Sequence, residues 1–231
     1  MMTILKQFVR SRIDSLVVAP LRGLFTEVIY QQIFERACAD AGVRNTFYPV
    51  GPAANYTLLY LLFRVIRENR LETIVELGSG QSTILIDRIK PAGTRHVCYE
   101  DDPDWFDRVR PDLTDTDYRL RGLTSVEIEG RVHRWYSDVE PTDFDLLLVD
   151  GPWGTRHWSR VGCVPLIERN TRRDFVIIFD DSNRPGEAET VSYVLERLRR
   201  RDPDVIARSL RGTKRQTVIA CGKYRAAAFY F

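Results

Sequence analysis

The sequence predicts an α/β domain built on a doubly wound, mostly parallel seven-stranded sheet, with an N-terminal helical cap and an antiparallel hairpin at one sheet edge. Three observations carry this. The runs Leu146-Leu147-Leu148-Val149 and Phe175-Val176-Ile177-Ile178-Phe179 are continuously apolar, as strands covered on both faces must be. From Thr73 onward, strand-like runs alternate with helical patterns, the order that a parallel sheet between helix layers requires. The last two apolar runs are joined by a short turn containing Gly212, which suits a hairpin and is too short for a crossover.

Taken in order, Leu5, Phe8, Val9, Ile13, Leu16 and Val17 recur near helical spacing, with Lys6, Arg10 and Asp14 between them. Pro20 breaks this segment, and a second helix is expected from Leu24 to Ala39, stopping at Gly42. Phe47-Tyr48-Pro49-Val50-Gly51-Pro52 reads as a rigid turn, after which Asn55 caps a third helix from Tyr56 to Glu68. Residues 1–70 are thus the cap and 71–231 the main domain. Strands are expected at 73–77, 95–99, 124–128, 144–149, 174–179, 204–210 and 216–221. Helices are expected at 81–90, 103–110, part of 155–170, and 187–200.

A chain of 231 residues is one domain with an appendage and can bury a full core. Its net charge of +2 does not by itself predict nucleic-acid binding, and no nucleic-acid partner is expected. Lysine is confined to Lys6, Lys90, Lys214 and Lys223; the arginine runs at 172–173 and 197–201 read as solvated faces. Cys38, Cys98, Cys163 and Cys221 stand far apart with no CxxC pair, which reads as reduced, buried thiols of a cytoplasmic protein. No run approaches the ~18 apolar residues of a membrane span. Arginines and Asp14 interrupt any signal-peptide pattern. The amphipathic N-terminal segment reads as a cover for the core or a homo-oligomer contact, with peripheral membrane contact as the alternative.

The chemistry is expected at the carboxyl ends of the strands, where open α/β sheets bind ligands. Glu76-Leu77-Gly78-Ser79-Gly80 ends one strand in a glycine turn, and Ser82 and Thr83 open the next helix. Such a turn lets backbone pass close to a ligand and offers N–H groups to an anion. The Gly-Lys-Ser/Thr ending of a P-loop is missing, and Thr83 stands where a dinucleotide fingerprint has its third glycine. Glu100, about 20 residues further on, can accept both hydroxyls of a ribose; Asp101, Asp102 and Asp104 suit a helix start. Two later strands end in Asp150 and in Asp180-Asp181. Acids at adjacent sheet ends repel each other, which a cation relieves; capping of the next turns, or pairing with Arg156 or Arg184, is the alternative.

This series resembles the class I S-adenosylmethionine-dependent methyltransferases over about residues 70–222, final hairpin included, and so implies their Rossmann-like fold. The acid pattern is similar to the metal-dependent O-methyltransferases of the catechol and caffeoyl-CoA type, and closer still to bacterial sugar O-methyltransferases. The resemblance implies Mg²⁺ or another divalent ion held by Asp150, Asp180 and Asp181. It also implies S-adenosylmethionine at Glu76, Gly78, Ser79, Gly80, Ser82 and Thr83, its ribose at Glu100 and its adenine near Asp138. A small-molecule or glycan acceptor follows, with a sugar hydroxyl preferred.

The segment after Asp150 holds Trp153, Arg156, His157, Trp158 and Arg160. Tryptophans suit stacking on a sugar face, so Trp153, with Arg156 and Arg184, is expected to bind substrate. His157 is the candidate proton acceptor beside Asp150, although this chain departs from related sugar-modifying enzymes, which carry a His or Asp base two or three residues after the strand-four Asp, where Gly151, Pro152 and Trp153 stand here; a substrate contact or a structural role is the alternative for His157. His96 and His133, the latter in a polar loop, read as structural. Rival readings are a metal-independent methyltransferase, a nicotinamide-dependent dehydrogenase and a non-catalytic binding protein.

Overall fold

The computed structural model describes residues 18–49 and 53–231. The expected helix over Leu5–Val17 and residues 50–52 of the expected turn lie outside the described residues.

Helix α1 (Ala19–Asp40) begins at the expected proline, a few residues before the expected start at Leu24. Pro20 lies in the first turn, where its missing N–H removes no helical hydrogen bond. Gly42, at φ +66°, ends the helix, and Val43 N–H donates back to the Cys38 carbonyl at 2.8 Å. Phe34 and Cys38 face the core, while Leu21, Leu24, Phe25, Val28 and Ile29 are exposed. Helix α2 (Tyr56–Glu68) starts at Asn55, whose side chain accepts from Leu58 N–H. Glu27 of α1 ties the cap together: it accepts from Asn55 Nδ2 at 2.6 Å, Thr57 Oγ1 at 2.9 Å and Thr213 N–H at 3.1 Å.

The main domain comprises β1 (Thr73–Leu77), α3 (Gln81–Ile89), β2 (Arg95–Glu100), α4 (Pro103–Val109), β3 (Asp117–Leu120), β4 (Leu123–Ile128), β5 (Arg131–Tyr136) and β6 (Leu146–Val149), then α5 (Val164–Arg169), β7 (Phe175–Phe179), α6 (Pro185–Arg201), β8 (Ile206–Arg211) and β9 (Arg215–Cys221). The seven-stranded sheet has the order β3-β2-β1-β6-β7-β9-β8. Only β9 runs against its neighbours, which is the expected edge hairpin. One face of the sheet buries Ile74, Leu146, Leu148 and Ile178 under α1, α2 and α3; the other buries Val75, Leu147, Val149 and Ile177 under α5 and α6. All four cysteines are buried and unpaired.

Two strand assignments change. The third strand of the sheet is β3 at Asp117–Leu120, not 124–128. Residues 123–128 instead pair with Arg131–Tyr136 as a separate two-stranded ribbon. The ribbon turns at Glu129 and Gly130, both at positive φ, as a two-residue hairpin needs. His133 therefore lies in strand β5 rather than in a loop. The ribbon has a packing role, since its last residues, Trp135 and Tyr136, plug the core beside Val149.

Candidate active site

Strand order reverses between β1 and β6, so their carboxyl ends diverge and leave a crevice. The turn after β1 and the turn after β6 touch there. Gly78 sits at φ +86°, and a Cβ on it would lie 2.5 Å from Gly151 N and 2.8 Å from Gly151 Cα. A Cβ on Gly151 would in turn strike Gly78 and the Tyr136 hydroxyl. Both glycines are thus required by close backbone approach. Around this contact the cleft is lined by Ser79, Glu100, Asp101, Trp105, Tyr136 and Asp150, with Trp153 and Arg184 at its mouth.

On the β1–β2 side, Glu100 is held firmly. One oxygen accepts from Asp101 and Asp102 N–H at 2.8 and 3.0 Å; the other accepts from Ser79 N–H and Oγ at 2.9 and 2.6 Å. Trp105 donates its indole N–H to the Ser79 carbonyl at 2.7 Å, which stands its ring against the glycine turn. Asp101 has its pKa raised to about 6 by burial and by the adjacent Glu100 charge. Beneath the turn, Glu76 is fully buried and pairs with His96 Nε2 at 3.0 Å, while its Oε1 has no partner. His96 also contacts Thr116 Oγ1, in keeping with a structural role. Thr83 Oγ1 accepts from Gly80 N–H at 2.9 Å and closes the helix start. Gly80, Ser82 and Thr83 shape the turn from below and do not line the cleft.

The structure brings Asp150, Asp180 and Asp181 together, with one oxygen of each within 4.8 Å of the others. Three cations already face them. Lys214 Nζ lies 3.1 Å from Asp180 and 3.8 Å from Asp181. Arg160 lies 3.5 Å from Asp150 and 3.4 Å from Asp181, and Arg184 lies 3.0 Å from Asp181. Asp180 is fully buried, and its second oxygen accepts from Gln216 Nε2 at 2.7 Å. Arg160 is itself fixed by the carbonyls of Pro152 and Asp180. Burial acts against the Lys214 charge, but Asp180, Asp150 and Asp181 more than offset it and raise the ammonium's pKa. Asp150 behaves differently. Its pKa rises to about 7, through burial first and Asp180 second, against the opposing pull of Arg160 and Lys214.

The donor set has the oxygens a Mg²⁺-type ion prefers, yet those oxygens are spent on fixed cations. An ion at their centre would sit against two of them, Arg160 and Lys214. The residues present do not fit a resident divalent metal.

Other expected residues scatter. His157 is 65% exposed and faces Glu189, 3.0 Å away on α6, outside the cleft lining. Arg156 is exposed and also outside it. Asp138 is an exposed turn residue after β5 and does not reach the cleft. Trp153 lies at the mouth, 73% exposed. Trp105, Tyr136, Lys214 and Gln216 were missed as site residues, and Arg160 was named without a partner. The only signal for Lys214 is the rarity of lysine in an arginine-rich chain.

The chain has the fold of the class I S-adenosylmethionine-dependent methyltransferases. It is similar to TomG, an O-methyltransferase of Streptomyces achromogenes involved in tomaymycin synthesis and solved with S-adenosylmethionine, at 17% identity and a TM-score of 0.53, over 84% of this chain and 90% of that one. It is similar to a Bacillus cereus O-methyltransferase solved with S-adenosylhomocysteine, at 16% identity and a TM-score of 0.51, over 92% and 96%. It is also similar to the S-adenosylhomocysteine-bound Podospora anserina methyltransferase PaMTH1, at 14% identity and a TM-score of 0.53, over 84% and 88%. No protein-family profile and no curated protein matches the sequence.

Proposed function

We propose that this chain is an S-adenosylmethionine-dependent O-methyltransferase acting on a hydroxyl of a sugar, glycan or glycosylated metabolite. The observation that carries the reading is the position of Asp150, in the crevice shared by Gly78 and Glu100. The cofactor fits what surrounds that crevice. Gly78 and Gly151 let the two turns close against each other at the floor of the cleft, Glu100 and Asp101 offer carboxylates to hydroxyls, and Trp105 supplies a flat wall. The orphaned Glu76 Oε1 is suited to a cofactor amino group. Gly78, Ser79 and Glu100, which line the cleft, remain proposed cofactor residues; Glu76, fully buried beneath the turn and outside the lining, is proposed to reach the cofactor only through its orphaned Oε1, and Gly80, Ser82 and Thr83 act through the turn they build.

When bound, the cofactor supplies a methyl group already activated on a sulfonium. The protein then has to position an oxygen in line and remove its proton. Asp150, not His157, is proposed as the proton acceptor, because it lines the cleft and its affinity for a proton is near neutral. Trp153 offers its exposed indole to the apolar face of a sugar ring, and Arg184 stands beside it for an anionic substituent.

Calorimetry with S-adenosylmethionine and S-adenosylhomocysteine tests the reading. Binding that is lost in Glu100→Ala supports it and warrants screening glycoside acceptors for methyl transfer. No heat with either compound would overturn it.

A further inference from the structure

Carboxylates at three adjacent strand ends need countercharge, and what supplies it sets the chemistry of the site. We infer that Lys214 and Arg160 permanently occupy the position a divalent cation would take, so that the carboxylate cluster is a fixed salt-bridge network and the enzyme works without metal. The inference rests on the methyltransferase reading only for the word enzyme; the network itself does not depend on it.

Four observations combine. The three carboxylates face two largely buried cations, Lys214 and Arg160, and the half-exposed Arg184, all within 3.8 Å. Asp180 has both oxygens engaged, one by Lys214 and one by the Gln216 amide, and none of it is exposed. Gln216 is itself fixed, donating also to Asn55 Oδ1 at 3.0 Å and accepting from Thr57 Oγ1 at 3.0 Å. It cannot rotate away without breaking the N-terminal cap's link to the sheet. Arg160 is buried and reaches the cluster from a left-handed backbone conformation, φ +59°. For an arginine that conformation is strained. A strained, buried arginine bonded to two backbone carbonyls and two site carboxylates is a built component, not a surface side chain that drifted in. Lys214 and Arg160 are therefore positioning residues: they supply the countercharge that holds the three strand-end carboxylates together.

Mn²⁺ titration followed by electron paramagnetic resonance tests this on the wild-type chain, with no cofactor or acceptor needed. The expected result is no stoichiometric Mn²⁺ uptake up to about 1 mM, together with S-adenosylmethionine binding that is the same in EDTA as in Mg²⁺. Lys214→Met deletes one countercharge and is expected to create a site, with Mn²⁺ affinity rising about tenfold or more. Adding Asp180→Asn should abolish that gain. Lys214→Arg keeps the charge and should remain blank, which separates loss of charge from loss of packing. One Mn²⁺ per wild-type chain, released by Asp180→Asn, would overturn the inference. Failure to bind S-adenosylmethionine would sink the proposed function while leaving the Mn²⁺ result readable.

Discussion

The sharpest consequence of the site is a rate that depends on the ionisation of Asp150. Its carboxyl is raised to about 7, first by burial and then by Asp180, with Arg160 and Lys214 pulling the other way. A proton acceptor must be ionised to work, so kcat/KM should fall as pH drops below 7. With that pKa, about nine-tenths of the enzyme is competent at pH 8 and about one-tenth at pH 6, a difference near tenfold. Asp150→Asn removes the acceptor and should lower kcat by about 10²–10⁴-fold while S-adenosylmethionine still binds. Lys214→Met removes one of the charges that lower the Asp150 pKa, so the acidic limb should move to higher pH. The assay is transfer of a radiolabelled methyl group to the acceptor, at saturating cofactor, across pH 5.5 to 8.5. A flat profile, or an Asp150→Asn variant with near wild-type kcat, would refute the assignment of Asp150 as base.

Two further outcomes follow from packing and charge in the same domain. Gly78→Ala places a Cβ against Gly151 and forces a left-handed alanine; the two penalties together should cost about 2–5 kcal/mol in urea unfolding, with cofactor binding weakened as the turns separate. Asp87 accepts hydrogen bonds from Thr114 N–H and Oγ1, Asp115 N–H and Thr116 Oγ1. Burial alone would raise its pKa, but these bonds outweigh burial and hold it well below the usual carboxylate range. A depressed folded pKa means that this stabilisation is present above about pH 4 and is lost as pH falls further. Asp87→Asn should therefore be destabilised at pH 7, by about 2–4 kcal/mol, and should lose less stability than wild type on acidification.

Much of the frame is legible in the sequence because local signals and tertiary demands agree. Asn55 and the leucine-rich stripe after it give α2 its bounds, and the apolar runs at 73–77 and 175–179 become β1 and β7. Strand β3, Asp-Tyr-Arg-Leu, escapes because it is a short edge strand, half-exposed, and carries no apolar run. The ribbon escapes because Glu129-Gly130 is a weak turn signal between polar strands. In the site, the acids are legible because each ends a strand. Their partners are not, since sheet register brings them in from far along the chain. Phe179 pairs with Thr217 across β7 and β9, so Gln216 and Lys214 arrive beside Asp180 only once the sheet exists. Arg160 arrives through a loop whose backbone angles no pattern of residue types announces. His157, by contrast, has the right residue type and the wrong neighbour: Glu189 holds it on the outer face of α6.

That asymmetry explains how a carboxylate spacing familiar from metal sites can mark a site of another kind. Strand ends fix where the acids go, and electrostatics requires only that something positive join them. A divalent ion in that place would bind the acceptor oxygen and lower its pKa directly. Lys214 and Arg160 do not act on the acceptor in that way, because their donors are turned to carboxylate and carbonyl oxygens. They supply countercharge to the cluster, while the proton affinity of Asp150 is raised by burial and by Asp180 against their pull. The two solutions therefore differ in what limits the rate: metal occupancy in one, carboxylate ionisation in the other. An enzyme of the second kind should keep its activity in a chelator and lose it in mild acid.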